Sequence, residues 1–258
     1  MNLYEALLLR KSIRKYRMEP VDTMILDHIM YFSNKVNVYA EGIGVQFVLE
    51  ENIEENKGIR GINHVKAPYY LLVTSELKED YLINAGYMAQ QVVLYMTALN
   101  LGTCYQASLK LNMMIRSGLP YDFVYGIAFG RAEKDIFRAP EKAKRLPEES
   151  LVVYKEEVSD TMKKIVKGAL LSPSYMNAQP WRLVVYSNRI HVFCKKGILS
   201  NVLSNEKLFD IGVMLANLAQ AADECWMDIS FVKSDTVTSK QFKNNEYITT
   251  VLLRDEMF

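Results

Sequence analysis

The spacing of apolar residues predicts helices that alternate with short strands. Apolar positions that recur every three or four residues predict helices over residues 3–9, 22–32, 80–100, 159–170 and 208–225. Short runs rich in β-branched and aromatic residues predict strands over residues 45–49, 69–74, 125–129, 182–186, 189–194 and 247–253. Asp22 is a good residue to cap the second helix, and we expect Gly102 to end the third.

The same order of elements occurs twice. The triplet Asp22-Thr23-Met24 begins one helix, and Asp160-Thr161-Met162 begins another 138 positions later (160 − 22). Gly86 and Gly212 lie inside the two long helices, 126 positions apart (212 − 86). An internal duplication explains these matches, and chance is the alternative. A duplication predicts two related halves on a pseudo-twofold axis, the arrangement that a homodimer would otherwise provide.

A charged segment separates the two halves. Residues 131–147 hold nine charged residues among seventeen, with two prolines, so we expect an exposed connection. The predicted halves are residues 1–147 and 148–258, which together would form one compact unit. Each would be an α/β half with an antiparallel-rich sheet flanked by helices, which makes the whole fold α+β with an internal pseudo-dimer.

Composition narrows the classes of function. Among 258 residues, 50% are hydrophobic and 24% are charged, with a net charge of +1, so no overall field attracts nucleic acid or a membrane surface. The three cysteines form no CxxC pair, and no histidine lies at metal-ligand spacing from them. We expect a cytoplasmic protein without a metal site, signal peptide or membrane span.

A basic cluster follows the first helix. Arg10, Lys11 and Arg14 lie within five residues, and the Ser12 hydroxyl lies between them. Guanidinium groups and a hydroxyl suit the oxygens of a phosphate. The alternative is a solvated basic helix end, where positive charge complements the helix dipole.

A second polar motif follows the predicted helix that ends at residue 170. Two prolines bracket Ser174, Asn177 and Gln179, and they restrict the loop, so its polar side chains have fixed directions. Hydroxyl and amide groups are suited to hydrogen bonding with the edge of a heterocycle, and they are less suited to catalysing bond cleavage. The alternative is a polar turn that closes a helix–strand junction.

Together the two motifs resemble the nitroreductase family of FMN enzymes. The family's basic R-x-S-x-R segment matches Arg10, Ser12 and Arg14. Its P-S-x-x-N-x-Q-P-W segment matches the following residues without a gap: Pro173, Ser174, Asn177, Gln179, Pro180 and Trp181. The family also has a basic stretch ahead of a Leu-rich segment, and the stretch of this chain that contains Lys144 and Arg145 resembles it.

The chain departs from the family in the spacing of these motifs, which lie 163 residues apart (173 − 10). In the family both lie within one half-length unit, and each dimer interface combines the phosphate arm of one subunit with the Pro-Ser segment of the other. The chain is therefore similar to a single-chain branch in which each half has kept one motif. The resemblance implies one composite FMN site per chain.

The resemblance also implies the residues and the reaction. Arg10, Ser12 and Arg14 would hold the FMN phosphate, with Lys144 or Arg145 as helpers; Lys11 is a weaker candidate, because the family pattern leaves its position free. Pro173, Ser174 and Asn177 would border the ring or the ribityl chain, and Gln179 would either do the same or only brace the loop. NADH or NADPH would reduce the flavin, and a small nitroaromatic or quinone would be the acceptor. The alternatives are a degenerate relative that binds flavin without turnover and a nucleotide-phosphate binder unrelated to redox chemistry. The chain could be a monomer or a homodimer.

Overall fold

A computed structural model describes residues 1–54, 58–61, 64–197, 203–238 and 243–255. The described helices are α1 Leu3–Leu9, α2 Thr23–Ser33, α3 Tyr81–Ala98, α4 Met113–Ser117, α5 Asp160–Leu170, α6 Asn205–Asp223 and α7 Asp235–Thr238. Among these described helices, none is long and apolar enough to cross a membrane.

Eleven strands complete the described fold. In the first half they are β1 Val45–Glu51, β2 Ile59–Gly61, β3 Tyr69–Ser75, β4 Gly102–Gln106, β5 Leu109–Leu111 and β6 Asp122–Gly130. In the second half they are β7 Val152–Tyr154, β8 Trp181–Val185, β9 Arg189–Lys195, β10 Met227–Val232 and β11 Asn245–Asp255. All the predicted helices and strands are present, and the α+β class is confirmed.

Two sheets share one topology. The first sheet has the order β1-β3-β6-β4, and the second has the order β10-β11-β9-β8-β7. In each, a helix precedes two antiparallel strands, a long helix follows, and the last strand returns to pair with the second. β7 is an addition, because it pairs in parallel with β8 at the outer edge. β2 and β5 form a separate two-stranded ribbon.

The long helices α3 and α6 pack against each other between the two sheets, and each contributes side chains to the core of the other half. Phe209 and Val213 of α6 lie in the core of the first sheet. Ile83 and Tyr87 of α3 lie in the core of the second sheet. The cores of the two sheets therefore meet along these two helices.

The end of α3 differs from the sequence prediction. The helix ends at Ala98, and Asn100 takes the left-handed conformation expected of a terminal glycine, with φ of 63°. Gly102 instead begins β4, where a Cβ atom would lie 2.9 Å from the side chain of Ile13. Gly102 is therefore needed for close packing of the segment after α1 and not for ending the helix.

The charged segment 131–147 is not simply the exposed connection that the sequence predicted. Ile136 is buried, and Phe137 forms an antiparallel bridge to Arg10. Ala132 forms a similar bridge to Tyr16. The segment runs antiparallel to residues 10–16, because its few apolar residues pack in the space beside them. It therefore belongs to the packed structure around the basic cluster.

Candidate cofactor site

The N-terminal basic motif lies on an extended arm, which we define as residues 10–16. α1 ends at Leu9, and Arg10 has extended backbone angles. Ser12 forms a parallel bridge to Thr103, and the Ile13 N–H donates to the Thr103 carbonyl at 2.9 Å. An extended arm alternates its side chains, so Arg10, Ser12 and Arg14 share a direction that Lys11 does not.

Three arginines form a buried cationic cluster, which we define as Arg10, Arg138 and Arg145. Arg10 is only 3% exposed, and the other two are half-buried. Burial lowers the pKa of Arg10, and the positive charge of Arg138 lowers it further. Burial, followed by the charges of Arg138 and Arg10, lowers the pKa of Arg145 to about 10.

The cluster has no compensating negative charge in the part of the chain that the structure describes. None of the ion pairs between described residues includes Arg10, Arg138 or Arg145. The Nε atoms of all three are buried and make no hydrogen bond. Buried charges are normally paired, because an isolated one has a large desolvation cost. The donors of this cluster therefore suit an anion with several oxygens.

Arg138 is the member of the cluster that the sequence analysis missed. Its backbone N–H donates to the Leu9 carbonyl at 2.9 Å, which fixes it directly beside Arg10. Burial lowers the pKa of Arg138. In the sequence, Arg138 is one of several basic residues in the charged segment, and no local pattern distinguishes it from neighbours that are exposed to solvent. The pairing of that segment with the arm brings it to the site.

The second motif forms a tight loop between α5 and β8, which we call the Pro-Ser loop (residues 172–180). It contains a short 3-10 turn, Tyr175–Asn177, and positive φ angles of 49°, 57° and 47° at Met176, Asn177 and Gln179. The Ser174 hydroxyl accepts a hydrogen bond from the Gln179 N–H at 2.9 Å. Non-glycine residues adopt such angles only where surrounding contacts impose them. The loop is thus held in one shape.

Asn177 and Gln179 join this loop to the basic segment from the first half. Asn177 donates to the Lys144 carbonyl at 3.1 Å and accepts from Arg145 at 3.2 Å. Buried Gln179, which is 1% exposed, accepts from the Leu146 N–H at 3.0 Å. Arg145 also donates to the Leu171 carbonyl at 2.8 Å. These amides position Arg145 within the cluster, and the exposed Lys144 contributes its backbone to the contact.

A cavity of about 440 Å³ lies between the arm and the Pro-Ser loop. Four of the residues that the sequence predicted line it: Ser12, Arg14, Pro173 and Ser174. Arg10 reaches its edge, because its guanidinium donates to the Ser12 hydroxyl at 3.3 Å. Among the described residues, Lys11 does not line this cavity. The volume is in the range of cofactor sites.

Asp210 is a buried acid in this cavity, and the sequence analysis did not identify it. It lies on α6, is 4% exposed and lines the cavity. Its carboxylate oxygens accept from the Tyr175 N–H at 2.9 and 3.1 Å. Burial raises the pKa of Asp210 to about 8, with a smaller contribution from the negative charge of Glu206. This acid therefore exchanges its proton near neutral pH.

A second, larger cavity of about 930 Å³ shares none of its described lining residues with the first. The loop after α2, the strand β10 and both long helices contribute to it. Lys35 is the single cationic residue among its lining residues that the structure describes, and Glu41, Asp223 and Asp228 are acidic. This lining is unsuited to a phosphate.

Comparisons with known proteins are consistent with this fold. The family model "Putative TM nitroreductase" matches residues 2–222. The structure described as a putative nitroreductase from Thermotoga maritima MSB8 is 22% identical with a TM-score of 0.65, and the match covers 98% of this chain and 93% of that one. That likeness supports the fold. No curated protein sequence matches the chain.

Two shorter structures match part of the chain. A nitroreductase family protein from Clostridium difficile 630 is 20% identical with a TM-score of 0.48, over 61% of this chain and all of that one (100%). A nitroreductase with bound FMN from Desulfitobacterium hafniense DCB-2 is 16% identical with a TM-score of 0.45, over 60% and 100%. The family model, which spans most of the sequence, decides the classification. The chain belongs to the family described as "Putative TM nitroreductase".

Proposed function

We propose that the chain is an FMN-dependent oxidoreductase with one composite cofactor site, which takes electrons from NADH or NADPH and passes them to a small nitroaromatic or quinone. Membership of a nitroreductase family supports the oxidoreductase role. The cationic cluster, whose Arg10 donates to the cavity-lining Ser12, is the observation that carries the proposal, because three neighbouring guanidinium groups without a described carboxylate partner favour an anionic ligand. FMN combines a terminal phosphate with a flat ring system. The cationic cluster would bind the phosphate, and the cavity would hold the ring.

The phosphate end of the site fits a dianion. The Nε–H groups of Arg10, Arg138 and Arg145 are buried and unused, and none of the three side chains has a carboxylate partner among the described residues. A phosphate would satisfy those donors and neutralise the mutual repulsion of the guanidinium groups. Ser12 and Arg14 would extend the same contact into the cavity. An uncharged ligand such as riboflavin leaves the cluster uncompensated and should bind more weakly.

The chain's residues would bind and orient the cofactor, which itself supplies the hydride and electron chemistry when bound. The arm would hold the phosphate, and Pro173 and Ser174 of the Pro-Ser loop would border the ring or ribityl chain on the opposite side of the cavity. Asn177 and Gln179 would act indirectly, because their amides are occupied in fixing the position of Arg145 and Leu146. Tyr105 and Tyr125, which also line the cavity, would exclude water from it.

We further propose that residues 1–147 and 148–258 are halves of an internal pseudo-dimer. The shared strand order, the exchange of core residues by α3 and α6 and the presence of two cavities with separate linings support this view. The second cavity would be the counterpart of the cofactor site. Its acidic lining and its lack of an arginine among the described lining residues predict that it binds no FMN.

Titration of the apoprotein with FMN and with riboflavin tests the cofactor assignment. We expect one FMN per chain, bound more tightly than riboflavin. Arg10→Met and the exposed Arg14→Ala should weaken FMN binding and leave riboflavin binding unchanged, while Arg116→Met, an exposed arginine away from the cavity, should change neither. Equal affinity of the wild-type protein for FMN and riboflavin, or two FMN per chain, would contradict the one-site assignment.

Turnover is a separate test. We expect NADH or NADPH to bleach the absorbance of bound FMN, and a quinone or nitroaromatic to restore it. Bound FMN that neither nucleotide bleaches would support the degenerate, flavin-binding alternative. A protein that binds inorganic phosphate but neither flavin would instead support a phosphate binder unrelated to redox chemistry.

A further inference from the structure

Asp210 has a neutral counterpart that performs the same structural task in the other half. Asp210 lies two residues before Gly212 on α6, and its carboxylate accepts from the backbone N–H of Tyr175 in the Pro-Ser loop. Asn84 lies two residues before Gly86 on α3 and accepts from the N–H groups of Tyr39 and Ala40 at 2.8 and 3.2 Å. Each side chain anchors the loop that follows the helix before its own: the loop after α5 for Asp210 and the loop after α2 for Asn84.

The comparison of Asp210 with Asn84 shows that a side chain can anchor the loop without being an acid. Asn84 is fully buried and holds its loop with an amide oxygen, so the task needs no carboxyl group. Burying a carboxyl group instead of an amide is unfavourable wherever the group must ionise. Asp210 lines the cofactor cavity, whereas Asn84 is not among the described lining residues of either cavity. An acid at position 210 therefore calls for a role beyond holding the loop.

The groups around Asp210 favour its protonated form at neutral pH. Glu206 lies one turn earlier on α6 and adds a negative charge. Tyr105 and Tyr125 are contributed by β4 and β6, and burial holds the pKa of each phenol far above its ordinary value, so both remain neutral. Tyr175 in the Pro-Ser loop and Cys194 on β9 are further titratable groups near it. Arg14, which lines the same cavity from the arm, is the cation there.

The proposed reaction needs a proton that the nucleotide does not supply. NADH or NADPH gives up one hydride, which carries two electrons and one proton. A quinone that becomes a hydroquinone gains two electrons and two protons, so the second proton must come from the protein or from solvent. A buried, protonated carboxyl group on the cavity wall is placed to give this proton and to regain one from water.

We propose that Asp210 is the proton donor to the acceptor in this cavity, a role that rests on the proposed function. As electrons reach the acceptor, the Asp210 O–H bond breaks and an O–H bond forms on the acceptor oxygen. The carboxylate left behind is held by the Tyr175 N–H until it takes a proton from water. The same residue thus links the loop that closes the site to the protonation of the substrate.

Two acceptors separate this role from a structural one. Ferricyanide takes one electron per ion and no proton, whereas a quinone needs both. We expect Asp210→Asn to reduce quinone turnover about 100-fold, in the range of general acid catalysis, and to abolish its pH dependence near pH 8. Ferricyanide turnover and NADPH-dependent bleaching should stay within about twofold of wild type, since neither uses this proton. The same change at Asp223, an exposed acid later on α6, is the control and should alter nothing.

A measurement without bound cofactor gives independent evidence. Infrared difference spectra of the apoprotein between pH 6 and pH 10 should contain the carbonyl band of a protonated carboxyl group. That band should shift on isotopic labelling of aspartate and be absent in Asp210→Asn. Circular dichroism checks that the variant folds, as the counterpart Asn84 predicts.

The outcomes distinguish the two proposals. If wild type binds no FMN or is not bleached by NADH or NADPH, the proposed function fails. If wild type turns over but Asp210→Asn loses quinone and ferricyanide activity equally, or retains both, the proton-donor role is wrong. A missing carbonyl band in wild type would overturn it as well.

Discussion

Gly86 and Gly212 make the same contact with each other's helix. A Cβ atom at Gly86 would lie 2.2 Å from the carbonyl oxygen of Phe209, three residues before Gly212. A Cβ atom at Gly212 would lie 2.0 Å from the carbonyl oxygen of Ile83, three residues before Gly86. Neither space admits a methyl group, so α3 and α6 cross with their backbones in direct contact.

This reciprocity predicts matched effects of Gly86→Ala and Gly212→Ala. Alanine gains about 1 kcal/mol of helix propensity, but the methyl group must force two backbones apart, which typically costs 1–3 kcal/mol and can cost more. We expect a net decrease in the free energy of unfolding for each variant, measured with urea.

The double variant should lower the free energy of unfolding by less than the sum of the two single changes, because one displacement of the helices accommodates both methyl groups. Gly118→Ala is the control, since its Cβ would lie 3.6 Å from the nearest atom, the Ile115 carbonyl oxygen. Single variants as stable as wild type would show that the crossing tolerates separation.

Removal of Arg138 should make the apoprotein more stable and its phosphate response weaker. Arg138→Met eliminates an unpaired, partly buried charge that repels Arg10 and Arg145, so we expect a higher unfolding temperature in phosphate-free buffer. Inorganic phosphate should raise the unfolding temperature of wild type by mass action, and that of the variant less.

Arg116→Met, an exposed arginine on α4, serves as the matched control and should retain the wild-type phosphate response. A variant at Arg138 that is less stable without phosphate and responds fully to it would remove Arg138 from the anion site.

Gln179→Ala should weaken both folding and cofactor binding. The change removes the hydrogen bond that the Leu146 N–H donates to the buried Gln179 amide, and such a bond contributes about 0.5–1.5 kcal/mol. It also frees the segment that positions Arg145, so FMN affinity should fall. Urea unfolding and FMN titration measure the two effects. Asn34→Ala, which removes an exposed amide hydrogen-bonded within its own helix end, should leave both unchanged.

The buried Asp210 should make stability depend on pH. Its pKa of about 8 in the folded protein exceeds the value of about 3.9 in an unfolded chain, so the folded state binds the proton more tightly. The contribution of Asp210 to stability is therefore complete at low pH and is lost as the pH rises to about 8.

Urea unfolding of the apoprotein from pH 5 to pH 9 checks this sign. Asp210→Asn lacks the titration, so its free energy of unfolding relative to wild type should increase with pH and level off above about pH 8. A difference that stays constant across this range would mean that Asp210 remains ionised throughout.

Local sequence patterns predicted most elements because their causes are local. The Asp22 side chain caps α2 through the Met24 N–H, and Ser159 caps α5 in the same way through Met162. Five described strands were not predicted, namely β2, β4, β5, β7 and β10, and two of them, β4 and β10, show the physical reason. β4 is short and contains Gly102 and Gln106, and β10 alternates partly buried and exposed residues at a sheet edge. Their strand conformation depends on pairing with β6 and β11.

The cofactor site was only partly visible in the sequence. Arg10, Ser12, Arg14 and Ser174 were found because they belong to recognisable motifs, and the structure brings them to one place. Arg138 and Asp210 were missed because nothing in their neighbours marks them. One reaches the site through pairing of its segment with the arm, and the other through the crossing of the two long helices.

The sequence by itself determined the five longest described helices, six of the eleven described strands and the two motifs, because spacing, caps and turn residues act over a few positions. Only the tertiary structure decided which residues share the cavity, since they come from segments more than 100 positions apart, such as those of Arg14 and Tyr175. It also decided their chemistry. Burial leaves the Nε–H groups of three arginines without a partner and raises the pKa of Asp210 to about 8, and burial is a property of the folded chain as a whole.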